Sequence, residues 1–197
     1  MTGLALALVI VSAFFHATWN MLAKRSNGGV AFVWLFSTLM SLFYAPLALA
    51  ALIITRPTFD LIDGIFIVGS SGLHVVYYLL LSYGYRQGDL SLVYPLARGT
   101  GPMLATVGAI ILLDERPTTL GLVGIVCIGI GIFILAGGIH NFRKQEARSK
   151  IRIALSIGVL ISMYTLWDKY AMSVLLISPL IFEWSMNFLR ALFLTGL

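Results

Sequence analysis

The chain has 197 residues, 59% of them from the AVILMFWYC set and only 11% charged, with a mean hydropathy of +0.97. A soluble globular domain carries about 25% charged residues, and none of this length could bury so much apolar surface, so a water-soluble enzyme or binding module is excluded. The formal net charge of +5 sits largely in short connections between apolar runs and points to no nucleic-acid partner.

In chain order, apolar stretches cover Leu4–Leu22, Val30–Ile54, Ile65–Tyr83, Leu90–Leu113, Leu120–Gly137 and Ile153–Trp167, and a seventh begins near Pro179. A helix rising about 1.5 Å per residue needs ~20 mostly apolar residues to cross ~30 Å of hydrocarbon. These stretches meet or approach that length. The expected fold class is an all-α membrane protein, a polytopic helical bundle. The first stretch starts at once, without a basic n-region, and is too long for a signal peptide, so it reads as an uncleaved span. Asp114-Glu115-Arg116-Pro117 places acidic residues and a first-turn proline before the fifth helix. Glycines at 28–29, 88 and 137–138 sit where helices should stop. Cys127 is the single cysteine, which rules out a disulfide within one chain and leaves it as a small packing residue.

The loops after helices one, three and five hold Lys24, Arg25, Arg86, Arg143, Lys144, Arg148, Lys150 and Arg152, against only Arg56, Arg116 and Lys169 after helices two, four and six. Basic residues in short loops stay cytoplasmic, so the N-terminus is expected outside and the polar linker 139–150 in the cytoplasm. That linker reads as a topological anchor or as a patch for anionic lipid or a partner. Small residues recur at helix-packing spacing: Ala97, Gly101, Ala105 and Ala109 on helix four, Ala13 and Ala17 on helix one, and Gly121, Gly124, Gly129 and Gly131 on helix five. Such stripes let backbones approach closely, a main source of helix association in lipid.

Polar groups inside apolar spans are expensive and point to function by default. His16 near the middle of helix one, with Asn20 and Lys24 at i+4 and i+8, makes one polar face. That face either binds a polar substrate or relays a proton, or His16 is satisfied by a neighbouring carbonyl; Lys24 reads more simply as an interfacial anchor. On helix three, Ser70, His74 and Tyr78 share a face by i+4 spacing, beside Tyr77, and suit a pocket of mixed polarity or ordinary packing. On helix four, Pro95 and Pro102 remove intrahelical hydrogen bonds on either side of Arg98, about two turns inside the span. Arg98 is expected to face the interior beside helices one and three, holding an anionic substrate group or a carboxylate, unless it snorkels toward Asp89. Glu115 reads as a helix-end residue, and Glu183 and Arg190 share a face at i+7. No nucleophile elbow, Gly-rich phosphate loop or metal-ligand spacing is present in the sequence, so no enzymatic activity, cofactor or metal is expected.

The two sides of the linker match faintly. Trp19-Asn20 corresponds to Trp167-Asp168 at an offset of 148, and Phe32-Val33-Trp34 to Phe182-Glu183-Trp184 at an offset of 150. Five helices per unit is odd, so the second unit would enter the membrane inverted, the plan of many secondary transporters. The segment His16-Ala17-Thr18-Trp19-Asn20 with Lys24 resembles the opening of EamA-type members of the drug/metabolite transporter superfamily. So does Gly88-Asp89-Leu90-Ser91-Leu92-Val93-Tyr94-Pro95-Leu96-Ala97-Arg98-Gly99, with Glu115-Arg116 before helix five, and Tyr164-Thr165 with Asp168 resembles the start of that family's second repeat. The resemblance implies ten helices in two inverted five-helix repeats: residues 1–138 as one complete repeat, 139–150 as a basic linker, and 151–197 as the first two helices of another. It implies a secondary transporter, exporter or importer, of a small metabolite such as an amino acid or related amphiphile, in the inner membrane of a bacterial cell. The alternative from a different class is a non-transporting membrane subunit or regulator of a partner protein. His16, Asn20, Ser70, His74, Tyr78, Tyr94 and Arg98 form the expected substrate-binding set. The expected partners are a small-molecule substrate and the bilayer, with a homodimer compatible with this plan.

Overall fold

The computed structural model describes residues 3–25, 29–87, 90–135 and 145–196, and within them the side chains of all but residues 16, 19–20, 22–25, 87, 90–92, 135 and 145–147. Each apolar stretch becomes one helix: α1 (Gly3–Arg25), α2 (Gly29–Thr55), α3 (Leu61–Gln87), α4 (Leu90–Leu112), α5 (Thr119–Leu135), α6 (Gln145–Ser173) and α7 (Pro179–Thr195). There is no strand among the described residues. Helices α2, α3, α4 and α6 contain spans long and apolar enough to cross a membrane, while α5 and α7 have 17 residues each. α6 extends beyond its apolar core at both ends, since Arg148, Lys150 and Arg152 are good helix formers whose charges can reach water. Exposed Phe43, Ile54, Ile111 and Leu120 belong to the apolar outer surface that lipid covers.

Cross-helix contacts fix the threading. Trp34 Nε1 donates to Thr195 Oγ1 at 2.9 Å, Arg190 Nε to Ser37 Oγ at 2.8 Å and Trp184 Nε1 to the Ser41 carbonyl at 3.0 Å, so α2 and α7 run antiparallel. α3 and α6 are antiparallel too: Trp167 Nε1 donates to the Phe66 carbonyl at 2.9 Å, and the His74 and Tyr164 rings lie 4.2 Å apart. α6 runs parallel to α4, with Gly158 against Thr100, Ile161 against Gly101 and Leu166 against Gly108. α3 therefore lies between α6 and α7, and α5 packs on the outer side of α4.

The α4–α6 seam is close because both helices present small residues. A Cβ on Gly158 would stand 3.3 Å from the Ala97 carbonyl, and one on Gly101 would stand 2.8 Å from Ile161 Cβ. Ala97, Ala105 and Ala109 are buried along the same stripe, which packs on α6 as small residues in lipid should. The other expected stripes differ. Ala13 and Ala17 are exposed on α1. On α5 only Gly129 of the four named glycines meets a neighbouring helix, at Met103 Sδ, and Cys127 is exposed. α5 touches α4 along one edge and is apolar all round, so its remaining faces, Cys127 included, belong to lipid.

α4 remains helical through Pro95 and Pro102. The Thr106 hydroxyl donates to the Pro102 carbonyl at 2.9 Å and the Thr100 hydroxyl to the Leu96 carbonyl at 2.5 Å, so side chains meet backbone acceptors near both prolines.

Candidate functional site

Glycine at position 69 lets the Trp167 indole lie against α3; a Cβ there would stand 2.7 Å from Trp167 Cζ2. The indole stacks on Phe66 at 4.4 Å, and this contact sets the register of the next residue, Asp168. The Ser70 hydroxyl donates to Asp168 Oδ1 at 2.5 Å. His74 Nδ1 lies 2.9 Å from the Ser70 carbonyl. A carbonyl only accepts, so Nδ1 carries the proton and Nε2 is left facing Asp168 Oδ2 at 3.9 Å. Ser70 is fully buried, and the side chains of His74 and Asp168 are 11% and 15% exposed. A serine, a histidine and a carboxylate thus meet between α3 and α6 in a mostly apolar bundle.

Ring contacts connect this cluster to Arg98. Tyr164 lies 4.2 Å from the His74 ring and 5.4 Å from the Tyr77 ring. The Arg98 guanidinium carbon is 5.9 Å from the Tyr77 ring centroid and 5.8 Å from that of Tyr94, within cation–π range. Tyr85 and Tyr164 are further electrostatic neighbours of the guanidinium. The buried hydroxyls of Tyr77 and Tyr85 have no hydrogen-bond partner among the described residues. A cation ringed by tyrosines, with two hydroxyls still able to donate, is chemically fitted to an anionic group.

Tyr78 turns the other way, toward α7. Arg190 is 3% exposed, its guanidinium carbon 5.1 Å from the Tyr78 ring, its Nε on Ser37 and its Nη2 on Asn187 Oδ1. The bundle therefore holds two interior arginines on opposite sides of the α3 tyrosine pair. A cavity of about 710 Å³ opens between α3, the end of α4 and α6, walled by Leu73, Val76, Leu113, Met163, Leu166 and Trp167 among others. Its size suits a small organic molecule and its lining is almost wholly apolar. Val76 and Met163 in its wall immediately precede Tyr77 and Tyr164, the tyrosines that face Arg98.

The family model described as the EamA-like transporter family matches residues 3–137, the segment that contains α1 to α5. The chain belongs to the EamA-like transporter family. This family member is an integral, multi-pass membrane protein with a transporter-like function. No solved structure matches the chain.

In this EamA-like protein the expected site residues fall into groups. Ser70 and His74 meet at 3.4 Å, and Tyr94 and Arg98 meet through the cation–π contact. Tyr77 and Tyr164 bridge the two pairs, whereas Tyr78 joins Arg190. The side chains of His16 and Asn20 lie outside the described residues. Among the described residues, Arg98 has neighbours on α3 (Tyr77, Tyr85), α4 (Tyr94) and α6 (Tyr164). Glu115 is a helix-end residue, paired with Lys169 across to α6. Residue-type reasoning passed over Asp168, Tyr164 and the depth of Arg190. The available signal was a carboxylate within an otherwise apolar helix, where an ionisable group needs a reason.

Proposed function

We propose that this chain moves a small amphiphilic metabolite, of amino-acid or related type, across a bacterial inner membrane as a secondary transporter. The single observation carrying this reading is that α3 and α6 together carry both features: Val76 and Met163 wall the apolar cavity, and the next residues in the chain, Tyr77 and Tyr164, neighbour Arg98. A molecule with an apolar body and an anionic group would find a partner for each, separated by the two tyrosines. Ser70, His74, Tyr94 and Arg98 supply the polar contacts in this reading, and Tyr78 acts from the α7 side.

The same proposal includes two inverted repeats. Trp34 and Trp184, matched at an offset of 150, each donate an indole N–H across the α2–α7 seam, and the two helices cross antiparallel. That is the behaviour of equivalent helices meeting at a two-fold axis in the membrane plane. Under this symmetry α1 packs on the third and fourth helices of the second repeat, as α6 packs on α3 and α4, which gives a reason for the exposed Ala13 and Ala17. Substrate flux into proteoliposomes, measured with a panel of aromatic, aliphatic and cationic metabolites, tests the function. Saturable flux of carboxylate-bearing amphiphiles supports it. Absence of substrate-dependent flux or binding from the full-length protein favours a non-transporting membrane subunit instead.

A further inference from the structure

The Ser70–His74–Asp168 cluster is more than a polar seam between helices, because it has its own opening. Asp168 borders an open groove of about 440 Å³ along α6, formed with Tyr164, Thr165, Lys169, Met172 and Ser173 toward the C-terminal end of the helix. The carboxyl therefore touches an accessible space on one side and buried Ser70 and His74 on the other. We propose that Asp168 is a proton-binding site through which this transporter couples solute movement to a proton; the coupling rests on the transport reading above.

The geometry defines what the proton does. With Asp168 ionised, Oδ1 accepts from the Ser70 hydroxyl and Oδ2 faces the lone pair of His74 Nε2, an unmatched pair of acceptors at 3.9 Å. One proton placed between Oδ2 and Nε2 turns that contact into a donor–acceptor pair and removes one negative charge from the α3–α6 seam. Among the described residues, the other ionisable groups that act on the cluster come from α6 and α7. α6 contributes Tyr164 and Lys169, the latter held by Glu115. α7 contributes Glu183, which acts electrostatically on Asp168, and Arg190, which acts on His74. Lys169 is thus occupied elsewhere, and the titratable side chain that can share a proton with Asp168 is His74. His74 is stacked beside Tyr164, which neighbours Arg98, so a charge change at Asp168 acts on a residue of the proposed substrate cluster.

The test uses the purified full chain in lipid vesicles, with Asp168→Asn and Asp168→Glu beside the unmodified protein. Infrared difference spectra between neutral and acidic pH need no substrate. They are expected to show a carboxylic-acid carbonyl band on acidification that disappears in Asp168→Asn and moves in Asp168→Glu. Flux of the metabolite panel is then measured with an imposed pH gradient. One proton per solute drives about tenfold accumulation per pH unit, and in Asp168→Asn the gradient should no longer drive accumulation at all. An acid-induced band unchanged in Asp168→Asn overturns the proton site. Flux that ignores the gradient in the unmodified protein overturns the coupling. A band lost in Asp168→Asn, with no flux of any solute, overturns the transport reading while retaining Asp168 as a proton-binding group.

Discussion

Arg190 Nε donates to Ser37 Oγ at 2.8 Å across the α2–α7 seam, with Arg190 3% exposed and Ser37 fully buried. Ser37 in turn donates to the Val33 carbonyl at 2.7 Å, so its one hydroxyl is used in both directions. The guanidinium also meets the Asn187 amide oxygen and the Tyr78 ring face, and the Glu183 carboxylate one turn before Asn187 acts on it electrostatically. The hydrogen bonds to this buried cation still matter individually, since a buried charged donor left unmatched carries its full desolvation cost.

Ser37→Ala is therefore expected to destabilise the protein by about 1–3 kcal/mol. Trp34→Phe, which removes the exposed indole bond to Thr195 in the same seam, should cost no more than about 1 kcal/mol. Reversible unfolding in mixed micelles measures both. Equal effects would mean that the seam is held by packing and not by the arginine.

The α4–α6 seam gives a second contrast. Gly158→Ala places a methyl against the Thr100 side chain and 3.3 Å from the Ala97 carbonyl, a backbone atom that cannot swing away. Overpacking of that kind costs about 1–3 kcal/mol. Gly131→Ala on α5 meets nothing within 4 Å and should stabilise its helix by roughly 0.5–1 kcal/mol through lost backbone entropy in the unfolded chain. The two variants should move thermal stability in detergent in opposite directions.

Much of the fold was legible because one signal, apolar run length, decides the elements of a membrane protein. The positions of α1 to α7 follow the apolar stretches, and the α4 stripe from Ala97 to Ala109 found its partner in α6. Stripes alone did not say which ones would be used: α5 carries as many glycines as α4 needs, yet faces outward. The site was legible face by face. An i+4 spacing put Ser70, His74 and Tyr78 on one side of α3, but Tyr78 lies a further turn along, and its ring meets Arg190 of α7. Asp168 was visible only in the repeat match and the family resemblance, and Tyr164 only in the resemblance, because no local pattern tells which residues of α6 face α3. That depends on Gly69 admitting the Trp167 ring, a contact between residues 98 positions apart, as are the neighbouring pair Ser70 and Asp168.

Orientation is testable with single cysteines in a Cys127→Ser background, Cys127 being exposed on the lipid-facing side of α5. Ser149→Cys lies near the start of α6 and Thr58→Cys lies between α2 and α3. Because basic residues concentrate around the α1–α2, α3–α4 and α5–α6 junctions, the linker side should be cytoplasmic. A membrane-impermeant thiol reagent added to intact cells is expected to label the Thr58→Cys variant and to leave the Ser149→Cys variant unlabelled. Reversed labelling refutes the orientation, and labelling of both sites indicates insertion in two directions.

Arg98 is the position where function and folding separate most cleanly. Its guanidinium lies among Tyr77, Tyr94, Tyr85 and Tyr164, and a charge at that depth turned to lipid would cost ~2.5–3.5 kcal/mol on insertion scales. Replacing it by alanine removes a charge from the interior, so Arg98→Ala should insert and fold with little penalty. It should nonetheless abolish transport, since the tyrosine hydroxyls alone cannot neutralise an anionic group. Arg98→Lys retains the charge but loses the planar fork that lies over two rings and reaches toward an anion with parallel donors. It should recover only a small part of the flux, with weaker apparent affinity for substrate. Membrane yield and detergent stability, measured beside flux and substrate binding, separate the two roles. Full flux in Arg98→Ala would remove Arg98 from the substrate cluster, and equal flux in Arg98→Lys and the unmodified protein would reduce its role to that of a point charge.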